Sequence, residues 1–190
     1  MCAARDVRIS PYAEVAARSD PSAALDAIFF EASATRSFAD ADERAMFRER
    51  WLGRYLAHFP GDAFLALSDD GTVVGYVAGS LDDPAGNPLF ADIVYFETFA
   101  HLTALYPAHL HINIDAGYRS GGIGAGLIAR FLAHARAADV SGVHVVTGVN
   151  SRNVSFYNRQ GFAECGRQVS DGTGIVFLAR KLAAEPSRDI

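Results

Sequence analysis

The chain has 190 residues, of which half are hydrophobic and 21% charged, and its formal net charge is -5. That length supports one sizeable core, so a single domain over 1–190 is expected. The acidic balance argues against a nucleic-acid binder that works by neutralising phosphates, though it leaves room for a local basic patch, and no apolar run reaches the roughly 20 residues of a membrane span.

The opening "MCAARDVRIS" lacks a basic stretch followed by an apolar one, so no secretory leader is predicted. Cys2 and Cys165 stand at opposite ends of the chain. Their separation argues against a structural disulfide and for a reducing, cytoplasmic setting. "VRIS" (7–10) suits a first strand, and "PSAALDAIFFEASA" (21–34) and "DADERAMFRERWLGRYLAHF" (40–59) carry apolar residues at helical spacing. Asp40 or Asp42 supplies the first-turn acceptor of the second helix, and "PG" at 60 and 61 stops it. "AFLALSDDGTVVGYVAGSL" reads as a hairpin turning at "DDG". A loop over 82–91 leads into "DIVYFETFAHLTALY", predicted as one helix ended by Pro107. "AHLHINID" is a strand, the glycine-rich stretch after it opens a long helix to about Ala138, and "GVHVVTGV" is a strand. "SRNVSFYNRQ" is a short helix ended by Gly161, and the last hairpin turns at "DGTG". The fold class that follows is α/β, a mixed and mostly antiparallel sheet with helices on both faces.

Residues 117–126, "GYRSGGIGAG", hold five glycines in ten positions between a strand and a helix. Unpaired helix-start amides converge there, which makes an anion-binding point. Gly122 and Gly124 would let a phosphate approach bare backbone, and Arg119 adds a permanent charge with planar donors. A tight turn with close helix packing is the plainer alternative. The spacing does not fit a dinucleotide fingerprint, because the third position from Gly122 is Leu127, and no lysine stands where a P-loop needs one.

Arg119, Gly122 and Gly124 do fit R-x-x-G-x-G, and "GVNSRNVSFYNRQGF" (148–162) fits N-x-x-x-x-x-x-Y-x-x-x-G-F. In these motifs the sequence resembles the GNAT superfamily of acetyl-CoA-dependent N-acetyltransferases. Within it, "YPAHLHINIDAGYRSGGIGAGL" looks closest to the acetyltransferase-like domain of bacterial relatives of O-GlcNAc hydrolases. The resemblance implies acetyl-CoA as co-substrate, with no metal, and acetyl transfer to an amine by direct attack. It implies a coenzyme grip made of Arg119, Ser120, Gly121, Gly122, Ile123, Gly124 and Ala125 on the pyrophosphate. Ile112, Asn113 and Ile114 would offer backbone hydrogen bonds to the pantetheine, with Asn150 and Asn153 beside the arm. Tyr157 would be the general acid that protonates the departing thiolate.

Other readings of these residues stay open. Tyr157 could fill the core beside Phe156 and Phe162, and Asn150 could be the N-cap of its helix. "GVHVVTGV" has no carboxylate to act as general base. Alternation in "HLHINID" puts His109, His111, Asn113 and Asp115 on one face, and His111 is the candidate base. Asp115, at the strand end, is read as support for the turn, and Asp92 and Glu97 are further candidates. His109 and His111 could share a metal ion, but a direct attack needs none. The acceptor is a small-molecule or protein amine, no nucleic-acid or membrane partner is expected, and a homodimer is left open. A non-catalytic acyl-CoA-binding or scaffold module is the alternative to an enzyme.

Overall fold

The apolar runs become strands and the 3.6-period segments become helices. The computed structural model describes residues 7–170 and 173–182. In chain order the elements are β1 (Val7–Pro11), α1 (Tyr12–Ala16), α2 (Ser22–Ala32), α3 (Ala41–Arg48), a π-helical turn (Glu49–Gly53) and α4 (Arg54–His58). Next come β2 (Ala63–Ser68), β3 (Val73–Ser80), α5 (Val94–Thr98), α6 (Ala100–Thr103) and β4 (Ala108–Ile114). The chain ends through α7 (Ile123–Ala137), β5 (Gly142–Gly148), α8 (Asn153–Arg159), β6 (Ala163–Ser170) and β7 (Thr173–Lys181). Among the described residues the sheet has seven strands in the order β1-β2-β3-β4-β5-β7-β6. β1–β2, β2–β3, β5–β7 and β6–β7 pair antiparallel, whereas β4–β5 is parallel, which gives the mixed and mostly antiparallel sheet. Among the described residues no helix is long and apolar enough to cross a membrane. Cys2 and the first half of the "DGTG" turn lie outside the described residues.

The described residues fall into two compact units, one drawn from Met1–Gly79 and His111–Phe131, the other from Ser80–Leu110 and Leu132–Ile190. In the first, Leu25, Ile28 and Phe29 bury one side of α2 at the i, i+3, i+4 spacing that a helix requires. The Asp40 carboxylate accepts the Glu43 amide at 2.8 Å, and the Glu43 carboxylate returns to the Ala39 amide, so the start of α3 is a reciprocal cap. The helix predicted over 40–59 runs without interruption over 41–58, with a π-helical turn inside it. That turn holds Gly53, where a Cβ would collide with the Glu49 carboxyl at 2.1 Å. The extra residue in the turn leaves both Leu52 and Tyr55 fully buried. The β2–β3 turn closes as predicted at "DDG": Gly71 has φ +84°, and Asp70 accepts from the Ser68 hydroxyl and the Thr72 amide.

In the second unit, β5 and β7 pair from Gly142↔Lys181 to Gly148↔Ile175. The single helix predicted over 92–106 is two short ones, α5 and α6. Phe99 interrupts them at φ −99° and ψ 19°, and its ring packs on Phe177 at 5.3 Å between centroids. Burial of a large aromatic side chain outweighs one more turn of regular helix.

Candidate functional site

In the first unit the Ile112–Ile114 half of β4 leads into the glycine loop. The Asp115 amide donates to the Val74 carbonyl at 3.0 Å, and the Asp115 carboxylate accepts the Gly117 amide at 2.8 Å. Asp115 therefore supports the turn. The Asn113 side-chain amide donates to the Tyr76 hydroxyl at 2.7 Å, so any coenzyme contact at this residue falls to the backbone. Ser120 (φ 68°) and Gly122 (φ 81°) both take left-handed backbone, and the chain enters α7 at Ile123. Nothing lies within 4 Å of where a Cβ on Gly122 would stand, so its backbone faces open space. The first helical bond runs from the Gly126 amide to the Gly122 carbonyl at 3.1 Å. The amides of Ile123, Gly124 and Ala125 thus precede the ladder, and no acidic side chain occupies the first turn to neutralise them. Gly124 is buried, Ala125 half-buried and Gly121 exposed. Gly126 has a packing role: its Cβ would sit 3.0 Å from Ile9 Cδ1.

Arg119 does not stand clear of the protein. Its Nε donates to the Ile114 carbonyl at 3.0 Å, and its guanidinium pairs with the Glu31 carboxylate on α2. Glu31 carried no signal in the sequence, because the pair joins positions 88 residues apart.

His111 lies half-buried in the same unit. Its Nε2 meets the Tyr55 hydroxyl at 3.1 Å, and the rings of Tyr55 and Trp51 approach edge-on at 5.0 and 5.4 Å. Desolvation, then the nearby Arg54 charge, push its pKa down to about 4. His111 is accordingly neutral at pH 7, and the same desolvation and charge oppose its protonation. Because the folded value lies below the unfolded one, the stability tied to this neutral ring is complete above the ordinary histidine pKa. It is lost as pH falls toward 4. A shift of this size corresponds to roughly 3 kcal/mol, an upper figure for a half-buried ring. Wild-type protein is expected to lose stability between about pH 6.5 and 4 in chemical denaturation, and His111→Gln to lose clearly less. Equal slopes in the two proteins would remove the assignment.

In the second unit Tyr157 sits on α8 with its ring 6% exposed, edge-on to Phe156 and Phe162 at 5.3 and 5.6 Å. Its hydroxyl makes no hydrogen bond among the described residues, yet it is not among the sealed polar atoms. A packed ring whose hydroxyl has no hydrogen bond among the described residues suits a proton donor. Burial pushes the phenol pKa up, which keeps the proton in place at neutral pH. Asn150 is exposed in the turn before α8 and is not its N-cap: that place is taken by Arg152, and the Asn153 amide is accepted by Ser151 Oγ at 3.2 Å. Asn153 is exposed at the first helical position. Asp92 and Glu97 are exposed.

His109 is buried in this unit against Phe90 and Phe96, at 4.8 and 5.1 Å, and stacks on His144 at 5.5 Å. His144 lies on Phe177 at 4.5 Å and donates from Nδ1 to the Tyr106 carbonyl at 2.5 Å. His109 and His111 thus have separate aromatic neighbours. No group of three or more metal-ligating side chains occurs among the described residues.

The sequence profile of the acetyltransferase (GNAT) family matches residues 26–162. The chain belongs to that family. No curated protein matches the sequence. Among solved structures, SsHAT is 26% identical over 93% of this chain and 98% of its own, with a TM-score of 0.73. Ribosomal-protein-alanine N-acetyltransferase from Brucella melitensis is 24% identical over 93% and 99%, with a TM-score of 0.56. A chain of the NatC complex bound to Gag peptide and CoA is 12% identical over 94% and 99%, with a TM-score of 0.65. The last two likenesses extend to the fold.

Proposed function

We propose that the chain is a cytoplasmic N-acetyltransferase that moves acetyl from acetyl-CoA to an amine in a ternary complex. The observation that carries the reading is the loop before α7. A left-handed Gly122 with open space beside it opens a 15-residue helix whose first turn holds no acid. Such a loop is built for an anion, and the pyrophosphate of coenzyme A supplies one. Arg119, Ser120, Gly121, Gly122, Ile123, Gly124 and Ala125 form the grip, and the backbone of Ile112–Ile114 takes the pantetheine. Asn150 and Asn153 attend the arm. The amine nitrogen attacks the thioester carbonyl carbon, so a C–N bond forms and the C–S bond breaks. His111, directly or through water, takes the ammonium proton before the attack; as the intermediate collapses Tyr157 gives its proton to the thiolate, and the second proton that the nitrogen loses returns through water to the phenol. Within the family the phrase at 106–127 ties the chain to bacterial relatives of O-GlcNAc hydrolases, and 1–190 works as one acetyltransferase-like domain. The exposed free thiol of Cys165 fits a reducing compartment.

The absence of a carboxylate from β5 favours a second reading, an acyl-CoA-binding module without turnover. A panel of acyl-CoAs against amines, read by free thiol release, separates the two: coenzyme binding with no transfer to any amine selects the module.

Arg119 gives a further prediction. If its charge serves the phosphates, Arg119→Ala should weaken coenzyme A by tens-fold while barely changing a pantetheine fragment that lacks them, since charge-assisted hydrogen bonds contribute about 1.5–3 kcal/mol. Equal losses for both ligands, measured by calorimetry, would make Arg119 a strut between Ile114 and Glu31.

A further inference from the structure

The segment between α2 and α3 shapes a cleft of about 490 Å³ in the first unit, lined by Phe30, Thr35, Arg36, Phe38, Asp40 and Arg44. Arg36 fixes one wall: its guanidinium donates to the Glu31 carbonyl at 2.7 Å and to that of Phe30 at 3.4 Å, which ties the segment to the end of α2. Phe30 and Phe38 stand edge to face at 5.9 Å and 82°, and they give the cleft apolar sides. The acids beside it are engaged, since Asp40 caps the Glu43 amide and Glu43 reaches back to the Ala39 amide.

Arg44 differs from its neighbours. Arg48 pairs with Asp26, and Arg119 pairs with Glu31. Among the described residues Arg44 has no ion pair; its guanidinium carbon lies 3.5 Å from the centroid of the Phe30 ring. The ring holds the cation at the cleft wall, and with no ion pair among the described residues its N–H groups can make a forked contact. A fork of that kind matches a carboxylate, and aromatic walls match an apolar body attached to it.

We propose that this cleft recognises an apolar carboxylate of aromatic size, with Arg44 taking the carboxylate and Phe30 and Phe38 the body, and that the amine acceptor carries this handle. The proposal rests on the acetyltransferase reading only for that last step. One open guanidinium suits a single carboxylate better than the phosphates of coenzyme A, to which the loop before α7 has already been assigned.

The test titrates the full chain, with and without saturating coenzyme A, with phenylacetate and with phenylacetamide as the uncharged isostere. Phenylacetate should bind about tenfold or more tightly than phenylacetamide, and Arg44→Gln should erase that preference. Arg44→Lys should restore it only in part, because it returns the charge without the fork. Phe38→Leu should weaken both probes alike. Equal binding of the two probes by the wild type, an unchanged preference in Arg44→Gln, or displacement of phenylacetate by coenzyme A would each overturn the proposal. Arg44-dependent phenylacetate binding by a protein that fails to bind coenzyme A would instead sink the acetyltransferase reading and leave the cleft standing.

Discussion

Gly122→Val is expected to lose coenzyme A binding while the protein stays folded. Two effects have to be separated. The backbone at Gly122 has φ +81°, where a β-branched residue is strained by roughly 1–2 kcal/mol, so some stability is lost whatever the ligand does. The added side chain also projects into the space where nothing lies within 4 Å, which is the space a phosphate would occupy. Gly71 supplies the control. It lies in the same unit at φ +84°, also with nothing within 4 Å of a Cβ, but in the β2–β3 turn, which opens no helix. Gly71→Val should therefore show a similar fall in stability and unchanged coenzyme affinity. For Gly122→Val the loss of even one charge-assisted contact corresponds to about tenfold or more, and loss of the whole grip to no measurable binding. Calorimetry with coenzyme A on the three proteins decides it. Wild-type affinity in a folded Gly122→Val variant would remove the loop from the coenzyme site.

Legibility in the sequence followed range. β4, α7 and the β2–β3 turn came through because the signals are local: alternation in "HLHINI", a glycine run before an apolar helix, and "DDG" between two strands. The π-helical turn at Glu49–Gly53 and the helix break at Phe99 carried no signal because they are set by what Leu52, Tyr55 and Phe99 pack against, and periodicity does not report that. The same division runs through the candidate site. Motif spacing picked out Arg119, Gly122 and Tyr157 as residues to inspect. It could not show that Glu31 holds Arg119, that Tyr55 meets His111, or that His144 stacks on His109, since each of these partners comes from distant sequence. Alternation did place His109 and His111 on one side of a strand. It could not foresee that Phe90 and Phe96 would enclose the first while Trp51 and Tyr55 enclose the second.

Tyr157→Phe is expected to separate an enzyme from a binding module. The ring is held between Phe156 and Phe162 and is 6% exposed, so phenylalanine fills the same space and α8 should keep its place. The hydroxyl has no hydrogen-bond partner among the described residues, so its removal leaves no partner unsatisfied there, and the stability change should stay within about 0.5 kcal/mol. Any large effect must then come from chemistry. As the tetrahedral intermediate collapses, charge gathers on the sulfur, and a positioned donor contributes roughly 10²–10⁴-fold to such a step. With an accepted amine, kcat should fall by that factor while coenzyme affinity stays within about twofold, provided bond breaking and not product release limits the rate. A burst of free thiol in the first turnover would reveal limiting release, and single-turnover rates then replace kcat as the quantity compared. Because burial raises the phenol pKa, the wild-type rate should show no loss of the acid form up to pH 10, the ordinary tyrosine value. A folded Tyr157→Phe variant with wild-type single-turnover rates would leave the thiolate to take its proton from water and would return Tyr157 to the role of core aromatic.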